Sequence, residues 1–195
     1  LTQEQFDVLK NLRLQNQAAI VGGAGTGKTV LAMEKTRRLL DQGLRVLFLC
    51  FNSNLAAWIG QTLGAKDNAL LEVLTFHQLV DRMIRRSGLS TEKHMKDFYD
   101  RAPDLLQDSL DRLREKPAAR ADLYDAVIVD EAQDFEDEWW IPLPDLLKNR
   151  DSGTMYVFFD DNQRLYTQLT NIPFKAQPFT LFRNCRNTQS IFATM

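Results

Sequence analysis

The eight residues Gly22-Gly23-Ala24-Gly25-Thr26-Gly27-Lys28-Thr29 constrain this chain more than any other stretch. Gly22, Gly27, Lys28 and Thr29 occupy the fixed positions of the pattern G-x-x-x-x-G-K-[ST]. The apolar run Ala18-Ala19-Ile20-Val21 precedes it, and Val30–Lys35 follows with helical spacing. A strand, a glycine-rich loop and a helix in that order make a phosphate cradle. Glycines let the backbone curl so that successive N–H groups face an anion, and the helix N-terminus adds partial positive charge. Gly23, Ala24, Gly25, Thr26 and Gly27 would wrap the phosphates of ATP. Lys28 would bridge the β- and γ-phosphates, and the Thr29 hydroxyl would hold Mg²⁺. The plain alternative is a glycine-rich turn with a chance lysine; the flanking strand and helix weigh against it.

The rest of the composition sets bounds. A chain of 195 residues fits one domain with room for a small insertion. Its 44% hydrophobic and 26% charged residues are ordinary for a globular protein. No apolar run approaches the roughly 20 residues of a membrane span, and residues 1–15 do not read as a signal peptide. Cys50 and Cys185 lack metal-type spacing and are expected to be reduced thiols in a cytoplasmic protein. A net charge of −2 argues against a strong, sequence-independent nucleic-acid binder but leaves room for a narrow binding track. The chain opens on Leu1 and ends at Met195 within helical spacing, which reads as part of something longer.

Strands are expected near Gln17–Val21, Arg45–Phe51, Leu70–Leu74, Val127–Val129, Met155–Phe159 and Phe179–Phe182, with helical patterns between them. Alternation of this kind implies an α/β fold with a parallel sheet flanked by helices. Residues 87–122 are charged and strand-free, and Leu105, Leu106, Leu110 and Leu113 mark an amphipathic helix there. This stretch reads as a small helical insertion.

Val127-Ile128-Val129-Asp130-Glu131 is an apolar strand ending in two carboxylates. Ligand groups gather at the carboxyl ends of strands in such sheets. Asp130 is placed to hold Mg²⁺, and Glu131 to polarise the water attacking the γ-phosphate. The carboxylates farther on, Glu136, Asp137 and Glu138, read instead as an acidic helix start.

Together, the phosphate loop and Asp130-Glu131-Ala132-Gln133-Asp134 resemble the superfamily 1 DNA helicases of the UvrD/Rep type, specifically their first RecA-like domain. Further motifs follow in the family's order. Leu1-Thr2-Gln3-Glu4-Gln5 resembles the Q motif, which would give Gln5 the adenine; Thr2 and Gln5 also fit a helix capping box. Phe51-Asn52-Ser53-Asn54-Leu55-Ala56 resembles motif Ia, and Thr75-Phe76-His77-Gln78-Leu79 motif Ib. Phe159-Asp160-Asp161-Asn162-Gln163 is similar to motif III, and Asn184-Cys185-Arg186-Asn187-Thr188 to motif IV. The resemblance implies that Gln163 contacts the γ-phosphate or its water and that Arg186 stabilises charge in transfer. It implies that Asn52, Thr75, Phe76 and His77 line single-stranded DNA, with Tyr166 as a base-stacking or core residue.

The chain departs from that family in four places. Phe159 replaces a glycine, the tryptophan expected after motif III is absent, Cys185 replaces a tyrosine, and the insertion is short. Nothing after Thr188 resembles the second RecA-like domain that completes the ATP site, so the chain alone is expected to bind nucleotide without unwinding DNA. The leading expectation is an ATP-dependent DNA helicase or translocase domain. An ATP-responsive switch acting on protein partners, and a small-molecule kinase, are the alternatives; a water-activating Glu131 counts against the kinase.

Overall fold

The computed structural model describes residues 2–90, 97–115, 121–160, 172–174 and 178–182. Six strands form one sheet: β1 (Gln17–Gly22), β2 (Val46–Leu49), β3 (Leu71–Leu74), β4 (Ala126–Val129), β5 (Thr154–Asp160) and β6 (Phe179–Leu181). Their order is β3-β2-β4-β5-β1-β6, and every pairing is parallel. The helices are α1 (Gln3–Asn11), α2 (Lys28–Leu40), α3 (Ser53–Thr62), α4 (Phe76–Ser87) and α5 (Ala102–Arg114). Three single 3-10 turns, Ala132–Asp134, Asp137–Trp140 and Leu143–Leu146, connect β4 to β5. The expected α/β architecture of a P-loop NTPase, with a RecA-like parallel sheet between helices, is the one observed.

The strands are buried on both sides, which is why they read as continuous apolar runs rather than alternating ones. Successive side chains nevertheless go to opposite faces. Ala19, Val21, Leu47, Leu49, Val127, Val129, Val157 and Phe159 join one core with α4, α5 and the 3-10 turns. Ala18, Ile20, Phe48, Ile128, Tyr156 and Phe158 join the other, under α1, α2 and α3. Within the charged, strand-free stretch, α5 packs Leu105, Leu106 and Leu110 into the same core as Leu79, Val80 and Met83 of α4. Pro103 sits in the first turn of α5, where a missing N–H costs nothing.

The edge strand β3 is fastened by charge. The buried Glu72 carboxylate accepts from Arg45 at 2.8 Å, Arg82 at 2.9 Å and Arg86 at 2.6 Å. Burial alone would raise its pKa, but the three guanidiniums outweigh that and hold it below the ordinary value. No described helix is long and apolar enough to cross a membrane.

Candidate nucleotide site and nucleic-acid face

The parallel register brings the carboxyl ends of β1, β5 and β4 side by side, with Gly22 opposite Asp160 and Val129 opposite Val157. The loop Gly23–Gly27 leaves β1 and turns into α2. Gly27 caps α2 with φ 84° and ψ 27°, a left-handed geometry that glycine adopts without strain. A Cβ at Gly27 would also collide with the Gln5 amide. At Gly22 an added Cβ would meet Thr26 Oγ1 at 2.6 Å and Leu181 Cβ at 2.9 Å. Within the loop, the Thr26 hydroxyl donates to the Gly23 carbonyl at 2.9 Å. No side chain caps the first turn of α2, so its N–H groups remain available to an anion.

Lys28 is buried and folds back over the loop. Its ammonium donates to the Gly22 carbonyl at 2.8 Å, the Gly23 carbonyl at 3.2 Å and Asp160 Oδ1 at 2.8 Å. Asp130 extends the β4 ladder by donating its N–H to Leu49 at 2.8 Å, which fixes its backbone. Its side chain is 0% exposed, and among the described residues neither carboxylate oxygen has a hydrogen-bond partner of normal geometry. Burial pushes the Asp130 pKa up to about 6; the neighbouring Thr29 hydroxyl offsets this only in part, and the charge of Glu131 adds to it. An orphaned buried carboxylate beside a threonine hydroxyl is the donor set a divalent cation needs, with water and phosphate oxygens completing the shell. The residues present therefore fit Mg²⁺, which Asp130 and Thr29 would hold.

Glu131 has φ 52° and ψ 45°, the only left-handed non-glycine residue among those described. Such a conformation persists only where surrounding contacts impose it. Glu131 Oε2 accepts from Gln133 Nε2 at 2.6 Å, and Gln133 Oε1 accepts from the Asp160 N–H at 2.9 Å. Gln5 is buried and both ends of its amide are engaged within the protein: Oε1 accepts from the Thr2 N–H at 3.0 Å and Nε2 donates to the Thr26 carbonyl at 2.9 Å. One side chain thus closes the capping box of α1 and braces the phosphate loop.

The residues expected to line DNA separate into groups. Asn52 caps α3, its Oδ1 accepting from the N–H groups of Asn54 at 2.8 Å and Leu55 at 3.2 Å, and it is exposed. Thr75 is buried in a capping box with Gln78 at the start of α4. Phe76 corrects the expectation: it is 0% exposed and stacks face to face on Trp139 at 4.3 Å, so its ring belongs to the core and offers no surface to a base. His77 is half-buried, edge-on to Tyr99 at 4.9 Å and Trp139 at 5.1 Å. Burial lowers its pKa and so favours the neutral imidazole, an effect that the charge of Glu136 partly counters. Gln163, Tyr166 and Arg186 lie outside the described residues.

Phe51 is a residue the sequence reading passed over. It is 49% exposed and stacks on Trp139 at 6.2 Å with an interplanar angle of 18°. Phe76, Trp139 and Phe51 form a three-ring stack that begins in the core and surfaces beyond the end of β2. The signal was an aromatic residue directly before the Asn52 helix cap. Phe159, where the resemblance implies a glycine, is fully buried and stacks on Trp140 at 6.1 Å.

This sheet, loop and pair of strand-end carboxylates define a P-loop nucleotide-binding domain of the RecA-like class. A family model described as an AAA domain matches residues 5–168, and the chain belongs to that family. The same fold is found in solved structures of Pif1 helicases. The chain is similar to the Pif1 helicase from Candida albicans, with a TM-score of 0.59 at 17% identity, over 99% of this chain and 42% of that one. It is similar to Bacteroides Pif1 bound to single-stranded DNA, with a TM-score of 0.51 at 14% identity, over 100% of this chain and 44% of that one. A structure of two coordinating Pif1 helicases at forked duplex DNA gives a TM-score of 0.51 at 13% identity, over 100% of this chain and 46% of that one. The chain thus spans less than half the length of these helicases. Among curated proteins no relative matches.

Proposed function

We propose that this chain is the ATP-binding motor domain of a superfamily 1 helicase or translocase, coupling ATP hydrolysis to movement on single-stranded DNA. The observation that carries the reading is the meeting of Lys28, Asp130 and Glu131 at the carboxyl ends of β1 and β4, the two strands that flank β5, with Asp130 fully buried and without a hydrogen-bond partner of normal geometry among the described residues. The loop N–H groups and Lys28 bind the phosphates, and Asp130 with Thr29 holds Mg²⁺. The metal neutralises charge on the phosphates when bound. Glu131 orients a water for in-line attack on the γ-phosphorus and takes its proton as the bond to the ADP oxygen breaks. Gln163 and Arg186 would sense and stabilise the γ-phosphate, and Gln5 would stand near the adenine.

On the nucleic-acid face, the half-exposed Phe51 offers a stacking surface, flanked by Asn52 and, farther along, His77. The helicase neighbours support this face, since one of them is described as bound to single-stranded DNA. A second RecA-like domain elsewhere in the whole protein would complete the cleft, in keeping with the share of those helicases that this chain spans. The switch reading draws on one observation: Thr75 and Phe76 are spent on helix capping and core packing. ATP hydrolysis by the full-length chain, measured with and without single-stranded DNA, separates the two. Stimulation of tenfold order supports the motor; hydrolysis indifferent to DNA supports the switch.

A further inference from the structure

We infer that Gln133 is a positioning residue for hydrolysis, clamping the Glu131 carboxylate to the end of β5 through its two-ended amide. The inference rests on the ATPase reading above. Glu131 follows the end of β4 in a left-handed conformation, its carbonyl accepting from the Asp134 N–H at 3.1 Å, and its carboxylate reaches the neighbouring strand β5 through Gln133. Gln133 lies two residues on, in the 3-10 turn Ala132–Asp134. That tight turn brings its amide back over the strand ends. Nε2 donates to Glu131 Oε2 at 2.6 Å, and Oε1 accepts from the Asp160 N–H at 2.9 Å.

The anchor is well chosen. Asp160 is the last residue of β5, paired in register with Gly22 at the start of the phosphate loop. Its carboxylate also receives Lys28 at 2.8 Å. Hydrogen bonds therefore link Glu131 through Gln133 to Asp160, the residue that holds Lys28 until phosphate takes it. An amide is the side chain that can serve both ends, since it carries a donor and an acceptor on one rigid plane. Gln133 holds one carboxylate oxygen, and the other would take the proton from water. Misplacing such a base by an ångström is enough to cost rate without costing substrate affinity.

The test is steady-state hydrolysis by the full-length chain at saturating single-stranded DNA, with affinity for a non-hydrolysable fluorescent ATP analogue measured alongside. Gln133→Ala is expected to lower kcat about tenfold while KM and analogue affinity stay within about twofold. Gln133→Glu keeps an acceptor for the Asp160 N–H but has no donor for Glu131; it should fold like the parent and hydrolyse as slowly as the alanine variant. In a Glu131→Gln background, Gln133→Ala should cause no further loss, because the residue it positions is already disabled. Unchanged kcat in Gln133→Glu, or full additive loss in the double variant, overturns the inference. Wild-type hydrolysis in Glu131→Gln alone would remove Glu131 from the chemical step and take this inference with it, whereas absence of ATP hydrolysis in the parent would overturn the ATPase reading itself.

Discussion

Lys28 Nζ lies 2.8 Å from Asp160 Oδ1 and 2.8 Å from the Gly22 carbonyl, so the ammonium that should meet phosphate is held by the protein itself. Nucleotide must take Lys28 away from Asp160. Asp160→Asn removes the competing charge while keeping size. Because a partly exposed ion pair contributes up to about 1 kcal/mol, nucleotide should bind about two- to fivefold more tightly. Isothermal titration with ADP checks this; equal or weaker binding would show that the pair does not compete.

Asp130 carries a carboxylate with no solvent exposure and no hydrogen-bond partner of normal geometry among the described residues. Such a group destabilises the nucleotide-free fold. Asp130→Asn should raise stability without Mg²⁺ by about 1–3 kcal/mol and abolish the additional stabilisation given by ATP with Mg²⁺. Urea unfolding with and without the ligand pair measures both effects.

Much of this was legible in the sequence because strands buried on both faces betray themselves as apolar runs. Val46–Leu49 and Ala126–Val129 are examples, and all six strands fell near the expected positions. The phosphate loop and Asp130 were legible for a different reason: their chemistry demands fixed residue types at fixed spacing. What stayed hidden depended on distant packing. Phe76 sits in a motif that reads as a DNA contact, yet Trp139, more than sixty residues on, claims its ring. The same tryptophan backs Phe51, and no local pattern announces that pairing. Gln5 invited a choice between helix cap and ligand contact. In the structure, the two ends of its amide serve the cap and the Thr26 carbonyl together.

Phe51→Ala should weaken binding of single-stranded DNA by about 1–3 kcal/mol while leaving ATP affinity unchanged. The ring is half-exposed, so its loss should disturb the fold little. Fluorescence anisotropy with a labelled oligonucleotide provides the reading. Unaltered DNA affinity would remove Phe51 from the nucleic-acid face.

Lys35 gives a pH signature. It is buried, donates to the Leu12 carbonyl at 3.3 Å and lies 4.7 Å from the Tyr156 ring centroid. Burial, followed by the nearby charges of Arg38 and Arg13, lowers its pKa from 10.5 to about 8. Between those values the unfolded chain binds more protons, so the contribution of Lys35 to stability rises with pH. The buried Cys50 thiol, raised from 9.0 to about 12, opposes this trend above pH 9. Between about pH 8 and 9, stability should increase by roughly 1 kcal/mol, and Lys35→Met should flatten that rise. Denaturant titrations across the window test the sign directly.

On the function proposed above, Glu131 acts at the chemical step of ATP hydrolysis in a site built by Lys28, Thr29 and Asp130. Single-turnover hydrolysis of ATP with Mg²⁺ by the full-length chain and its Glu131→Gln variant, in the presence of single-stranded DNA, tests it most directly. The variant should bind ATP as tightly as the parent and hydrolyse it at least about a hundredfold more slowly. Hydrolysis at the parent's rate, with binding intact, would contradict the claim.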